Sequence, residues 1–343
     1  MTFARFFRKI GIRGKHLIRR IRTKRLKKLQ RVPPAGPGVL VVMNNIGIGN
    51  AVQATPLVQA IRMLWPTANI TILTPPGDLL DDWCVPDFIT DSTENLKSKS
   101  YDHTFFPYGM WQNIAQWQAR LELGRVHCPR VWLRAWLLKP EVEYNVDMVR
   151  RLGYRGGCPP LYVSLKQPDE SIIPDKLRIC LVPGGKKELM WRHKRWPFYN
   201  ELIQLLLEEY PRSQICIIGT QKDDFGGELP SVPQVIDLRD RLSLRQTAWV
   251  LKHSDLAVGN DCGPMHIADA VQTPSIVLFG PTCELKNAPR YKSISLSGEP
   301  PCRPCQYSSL IETCTEPICM TELSPDIVME KVNIFLERYT GKY

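Results

Sequence analysis

Short apolar runs of three to six residues recur along the chain, each closed by a glycine, proline or polar turn. They are Val39–Met43, Ile70–Leu73, Leu177–Val182, Ile215–Ile218, Leu256–Val258 and Ser275–Phe279. Runs this short, without polar alternation, suit parallel strands buried on both faces. Between them apolar residues step by three and four, as on one face of a helix. Leu57, Ala60, Ile61 and Leu64 do so before Pro66, and Phe198, Leu202, Leu205 and Leu206 before Pro211. Ile327, Val328, Val332 and Phe335 predict a closing helix after Ser324-Pro325-Asp326. Ser243 with Gln246 three residues on predicts a capping box. Strand, turn and helix in repetition give an α/β protein. The pattern predicts two Rossmann-like units, 39–174 and 175–323, and a C-terminal helix over 324–343. Residues 77–170 are irregular, rich in Trp and Arg, and yield no site: the Trp read as core and the Arg as solvated.

Charge changes the picture at one end. The chain has 343 residues and a formal net charge of +11. Thirteen of its Lys and Arg, and no Asp or Glu, fall in residues 1–31, so the other 312 residues are near −2. In that arm Phe3, Phe6, Phe7 and Ile10, then Leu17, Ile18 and Ile21, fall at helical spacing among the basic residues. An apolar stripe beside Lys and Arg suits an anionic membrane surface, at about 1 kcal/mol per basic residue. A disordered tail and a nucleic-acid arm are the alternatives; aliphatic residues at one spacing would serve neither, so no nucleic acid is expected. Residues 32–38 form a Pro/Gly linker. No stretch reaches the ~20 apolar residues of a membrane span, and no secretory signal pattern is present. The expectation is a cytoplasmic protein, peripheral on an anionic membrane surface. Eleven cysteines in such a chain point to free thiols or a metal more than to disulfides.

Three turns carry candidate chemistry. Gly259-Asn260-Asp261-Cys262-Gly263-Pro264-Met265-His266 follows a strand and opens a helix. Free amides and the helix dipole there favour an anion, with Asp261 and His266 at the rim; an ordinary strand–helix turn is the alternative. Asn44-Asn45-Ile46-Gly47-Ile48-Gly49-Asn50 follows the first strand, but two glycines alone are a weak signal. Pro183-Gly184-Gly185 leads to the basic run Trp191–Pro197, which contains Lys194. Beyond the next strand Asp223, or its neighbour Asp224, stands where an acidic residue can accept from ribose hydroxyls. Cys302, Cys305, Cys314 and Cys319 cluster near the end. A Cys-x2-Cys pair can turn two thiolates onto one ion, so structural Zn or Fe is set against inert thiols.

The run GNDCGPMHIADAVQTPSIVLFGPT resembles the donor-site signature of family 9 glycosyltransferases, the lipopolysaccharide heptosyltransferase family. NNIGIGNAVQATPLVQAIR resembles that family's first motif, and the resemblance runs with gaps from about Val39 to the C-terminus. It implies a glycosyltransferase-B fold, two Rossmann-like domains facing across a cleft. It further implies that Gly184, Lys194, Asp223, Asp261, Gly263, Pro264, Met265 and His266 hold a nucleotide-sugar, with Lys194 toward its phosphates. Asn45, Gly47, Gly49 and Asn50 would then form the acceptor-side loop. Family members usually carry Asp, taken as the base, where this chain has Asn50. A neutral amide can orient a hydroxyl but cannot take its proton. Cysteines recur at the C-terminal cluster in the family, and in some related heptosyltransferases such a finger holds iron.

The implied function is inverting transfer of a sugar, heptose from ADP-heptose first, to a lipopolysaccharide core or other cell-envelope glycan or glycolipid. No cofactor is expected for the chemistry, and any metal at the cysteines would be structural. The alternatives are a nucleotide-sugar-binding homologue that has lost catalysis, suggested by Asn50, and a sugar-nucleotide epimerase of the same architecture.

Overall fold

The computed structural model of the protein describes residues 36–340, except 45, 76, 98, 111–113, 119–120, 131–138, 170–175, 186–187 and 189–190. The predicted arm, 1–31, and most of the linker lie outside the described residues. The first half runs β1 (Gly38–Val42), α1 (Ile48–Leu64), β2 (Asn69–Leu73), β3 (Phe88–Thr90), β4 (His103–Phe105), α2 (Ile114–Gln118), β5 (Arg125–His127) and α3 (Glu141–Arg150). Its five strands form one parallel sheet in the order β3-β2-β1-β4-β5. The central β1 is Val39, Leu40, Val41 and Val42, none with any exposed surface. Burying side chains of this size is worth roughly 1.5–3 kcal/mol each, so the strand is fixed by both faces at once.

Helix α1 returns the chain from β1 to β2 and contains Pro56 in its interior. Proline cannot donate to the carbonyl four residues back. The Thr55 hydroxyl donates to that carbonyl, of Val52, at 2.7 Å, and the helix continues to Leu64.

The second half runs β6 (Arg178–Val182), α4 (Tyr199–Glu209), β7 (Gln214–Ile217), β8 (Val235–Asp237), α5 (Leu244–Lys252), β9 (Leu256–Asn260), α6 (Gly263–Ala270), β10 (Ser275–Leu278), α7 (Glu284–Asn287), β11 (Ser293–Leu296), α8 (Leu310–Thr313), α9 (Ile318–Thr321) and α10 (Pro325–Thr340). Its six strands are parallel in the order β11-β10-β9-β6-β7-β8. The order reverses direction between β9 and β6, the switch point beside which α/β sheets bind ligands. Ser243 caps α5 as the sequence predicts, its hydroxyl accepting from the Gln246 amide while Gln246 accepts from the Ser243 amide. Helix α10 buries Val328, Val332 and Phe335 against Leu202 and Leu206 of α4. The Trp196 indole donates to the Leu323 carbonyl at 2.7 Å just before it. The C-terminal helix is thus part of the second sheet's core. Among the described residues no helix is long and apolar enough to cross a membrane.

The two halves share an apolar interior. One continuous cluster takes Val41 and Met43 from the first half and Val182 and Met265 from the second. Arg245 at the start of α5 pairs with Asp82, and its amide donates to Asp78 Oδ1 at 3.3 Å. The first turns of α1 and α6 also meet across the two halves.

Candidate functional site

Where α1 and α6 meet, the backbones come close enough to demand glycine. A methyl group on Gly49 would lie 2.5 Å from Cδ2 of His266 and 3.4 Å from Cα of Gly263. On Gly263 it would lie 3.2 Å from Cβ of Ile48. Gly49 is therefore required by a side chain from the other half of the molecule. Gln53, one turn along α1, places its amide nitrogen 3.4 Å from His266 Nε2.

Asp261 is the centre of the second-half side of this junction. Its carboxylate is 4 % exposed and lies 2.8 Å from Lys194 Nζ. Asn287 donates to the same oxygen, Oδ2, at 3.0 Å, and His266 Nε2 stands 4.0 Å from Oδ1. Burial by itself would raise this carboxyl, but the Lys194 charge, helped by His266, outweighs it and holds the pKa at about 2. His266 is pushed below its usual value, by burial first and against the pull of Asp261, so its ring is neutral at pH 7. Cys262 is pushed up to about 12 by burial and then by Asp261, and stays a thiol. The amides of Cys262 and Gly263 have no acceptor among the described residues. They open α6, beside a lysine whose counter-ion is already in place, and an anion fits there.

A second polar cluster surrounds Asn50, and its other members carry no motif. Asn50 Nδ2 donates to Glu141 Oε1 at 2.5 Å. Glu141, the first residue of α3, is 1 % exposed, and its Oε2 lies 3.1 Å from Lys286 Nζ on α7. Burial would lower the lysine, but the Glu141 carboxylate overrides it and holds Lys286 above its ordinary value. The same ammonium sits 4.0 Å above the centre of the Tyr108 ring, and the Tyr108 and Tyr307 hydroxyls are 3.5 Å apart. Asn145 of α3 fixes this corner, accepting from the Tyr108 amide at 2.8 Å and donating to the Gln53 carbonyl at 3.0 Å. Glu141 lies in the irregular stretch and carries no motif, so no signal in the sequence marks it.

The other predicted residues divide. Gly47 caps α1, its carbonyl accepting from the Ala51 amide at 3.0 Å; Asn45 lies outside the described residues. Gly184 and Gly219, which closes β7, flank the Asp223 carboxylate, whose Oδ2 would be 2.9 and 2.6 Å from a methyl on either. Asp223 is committed within the protein: Arg195 donates to Oδ1 at 2.8 Å and the Thr220 amide to Oδ2 at 2.8 Å. A ribose would have to share those oxygens, while Asp224 beside it is exposed. Asn260, fully buried, donates to the Pro183 and Gly184 carbonyls at 2.8 and 3.1 Å and so ties the two loops together. Pro264 stands in the first turn of α6 and is half-buried. The Met265 side chain is 1 % exposed and packs against Gly259 in the core, so any part it takes at the site falls to its backbone. Trp83 and Trp117 are core residues, as expected.

The cysteine cluster also departs from expectation. Cys302, Cys305, Cys314 and Cys319 line one small cavity with His193 and Pro281. Among the described residues, however, no three Cys, His, Asp or Glu groups are placed to share one ion. Burial pushes Cys319 up to about 11 and raises Cys305, so both are thiols at pH 7. As arranged, the four sulfurs face a common space without converging, and the set does not fit a metal.

The sequence model described as glycosyltransferase family 9 (heptosyltransferase) matches residues 134–315, just over half of the chain. The chain belongs to glycosyltransferase family 9. The family 9 segment includes Glu141, Lys194, Asp261, His266 and Lys286. Lipopolysaccharide heptosyltransferase 1 of Pseudomonas aeruginosa is 27 % identical over 165 residues, 43 % of this chain and 45 % of that protein. The chain spans less than half the length of the curated relatives it matches. The structure of the Escherichia coli ADP-heptose lipopolysaccharide heptosyltransferase II superposes with a TM-score of 0.65 at 20 % identity, over 88 % of this chain and 99 % of that one. The iron-containing dodecameric glycosyltransferase TibC of enterotoxigenic E. coli gives 0.63 at 13 % identity, over 88 % and 76 %. Two parallel sheets and these neighbours make the fold the glycosyltransferase-B arrangement.

Proposed function

We propose that this family 9 protein is an inverting glycosyltransferase that moves a sugar from a nucleotide-sugar to a lipopolysaccharide core or related envelope glycan. Heptose from ADP-heptose is the first donor to test. One observation carries the reading: Lys194, its counter-ion Asp261 and the opening amides of α6 stand together, directly across from the first turn of α1.

Transfer forms a bond from an acceptor oxygen to the anomeric carbon as the bond from that carbon to the β-phosphate oxygen breaks. The electron pair leaves with the nucleoside diphosphate, so negative charge grows on the β-phosphate. Lys194 and the α6 amides meet that charge with no reorganisation, which favours the transition state over the bound donor. Gly263 lets the phosphate approach closely. Asp261 keeps Lys194 in position, and the neutral His266 can donate one hydrogen bond without competing for the lysine.

The test is incubation with ADP-heptose and a truncated lipopolysaccharide acceptor, following nucleoside diphosphate release and acceptor mass together. A glycosylated acceptor is the expected result. A second reading, donor binding without transfer, is favoured by Asn50 at the position of the missing base. Tight donor binding with an unmodified acceptor would select it, and conversion of donor alone would select an epimerase.

A further inference from the structure

We propose that Glu141 is the base that takes the acceptor's proton. The proposal rests on the transfer reaction above and names the group that reaction lacks. A hydroxyl attacking the anomeric carbon must give up its proton, and Asn50 cannot accept it. Glu141 is the carboxylate in contact with Asn50, 2.5 Å from its amide. It lies on the α1 side of the junction, while Asp261 lies on the α6 side, where its pairing with Lys194 serves the donor phosphates. A carboxyl held at about 2 is a poor base in any case. Glu141 is close enough to the donor cluster for its charge to be felt at His266.

The surroundings pair that carboxylate and aim it. A buried anion is costly unless paired and hydrogen-bonded. Lys286 supplies the charge from the other half of the molecule, and Tyr108 covers the lysine from the far side. Asn50 and Lys286 take one site on each oxygen; an ionised carboxylate has about four, so each oxygen keeps acceptor capacity for a substrate hydroxyl. The amide at position 50 then has a physical reason. A carboxylate there would sit beside Glu141, and two such groups cannot both stay ionised. Asn50 donates a hydrogen bond and leaves the charge on Glu141. Asn50 and Lys286 are positioning residues.

In the step, the acceptor O–H bond breaks toward a Glu141 oxygen, the acceptor oxygen bonds to the anomeric carbon, and the nucleoside diphosphate leaves with the electron pair. Glu141 ends as the neutral acid and loses its proton to water when product departs. The titratable groups around it are Lys286, Tyr108 and His266, with Tyr307 and Asp261 reaching Lys286.

Glu141→Gln tests this in the full chain, alongside the parent. A variant that removes both charges, Glu141→Gln with Lys286→Met, leaves no unpaired ion if the single change fails to fold. Both are expected to lose about 10²- to 10⁴-fold in kcat, to keep donor affinity, and to lose the acidic limb of the pH–rate profile. A folded variant with the parent's kcat and acidic limb overturns the proposal. So does a loss of donor affinity equal to the loss of rate, since Glu141 would then be structural. A parent that transfers no sugar fails at the reaction itself, one step earlier, and removes the basis for this inference with it.

Discussion

Replacing Lys194 by alanine removes one ammonium from a site whose counter-ion is buried, so it should register twice. Asp261 is 4 % exposed and its carboxyl is held at about 2. An unfolded aspartate titrates near 3.9, and the difference corresponds to roughly 2–3 kcal/mol of stability. The folded pKa is depressed, so this contribution is fully present above about pH 4 and is lost as pH falls through about 2. Without Lys194, burial is no longer offset, and the carboxyl rises. The parent's melting temperature should therefore fall steeply between pH 4 and pH 2, and the variant's curve should be flatter there. At pH 7 the variant should melt several degrees lower, at about 2–4 °C per kcal/mol for a chain of this class. The second reading is kinetic. Removing a fixed donor at a developing charge costs roughly 10²- to 10³-fold in kcat. Nucleotide-sugar affinity should change far less, because the charge is greatest after the bond breaks. Calorimetric melting from pH 2 to 7 and a continuous assay of nucleoside diphosphate release give both numbers. Unchanged turnover with the altered melting profile would confine Lys194 to stability and refute its part in the mechanism.

Two other substitutions follow from the same geometry, and a deletion follows from the charge of the arm. Gly49→Ala places a methyl 2.5 Å from His266 Cδ2 and must push α1 from α6; overpacking of this kind costs about 1–3 kcal/mol. Lower stability and weaker donor binding are expected, and an unaltered melting temperature would show that the junction yields freely. Asn50→Asp puts a second carboxylate at Glu141; the two should share a proton and move the acidic limb of the rate profile upward. A faster enzyme with an unmoved profile would contradict the role given to Asn50. Deleting residues 1–31, which hold thirteen Lys and Arg, should release the protein from anionic vesicles while leaving transfer to a soluble acceptor intact. Vesicle binding that survives the deletion would place the membrane contact elsewhere.

The central strands were legible because burial on both faces writes an unbroken apolar run. Val39–Met43 and Leu177–Val182 needed nothing else to be read. Strands β3, β4 and β5 were not legible, being three residues each at or next to the sheet's edges, where neighbouring strands and not local pattern decide the structure. Asp261, Lys194 and His266 could be found because they sit in turns with a glycine or basic signature. Glu141 and Lys286 could not: each is an ordinary charged residue at the start of, or inside, a helix, and their meeting depends on how the two halves dock. Met265 shows the opposite limit. It lies in the motif, but α6 turns its side chain into the core beneath Gly259. The cysteines misled by number, since nearness in sequence put four sulfurs around one cavity without bringing three of them to a point.

The most direct test of the account is a crystal structure with a nucleoside diphosphate bound. The account predicts its β-phosphate at the first turn of α6, in hydrogen-bonding reach of the Gly263 amide and Lys194 Nζ. A diphosphate bound elsewhere, with the first turn of α1 still seated on Gly263, would contradict it.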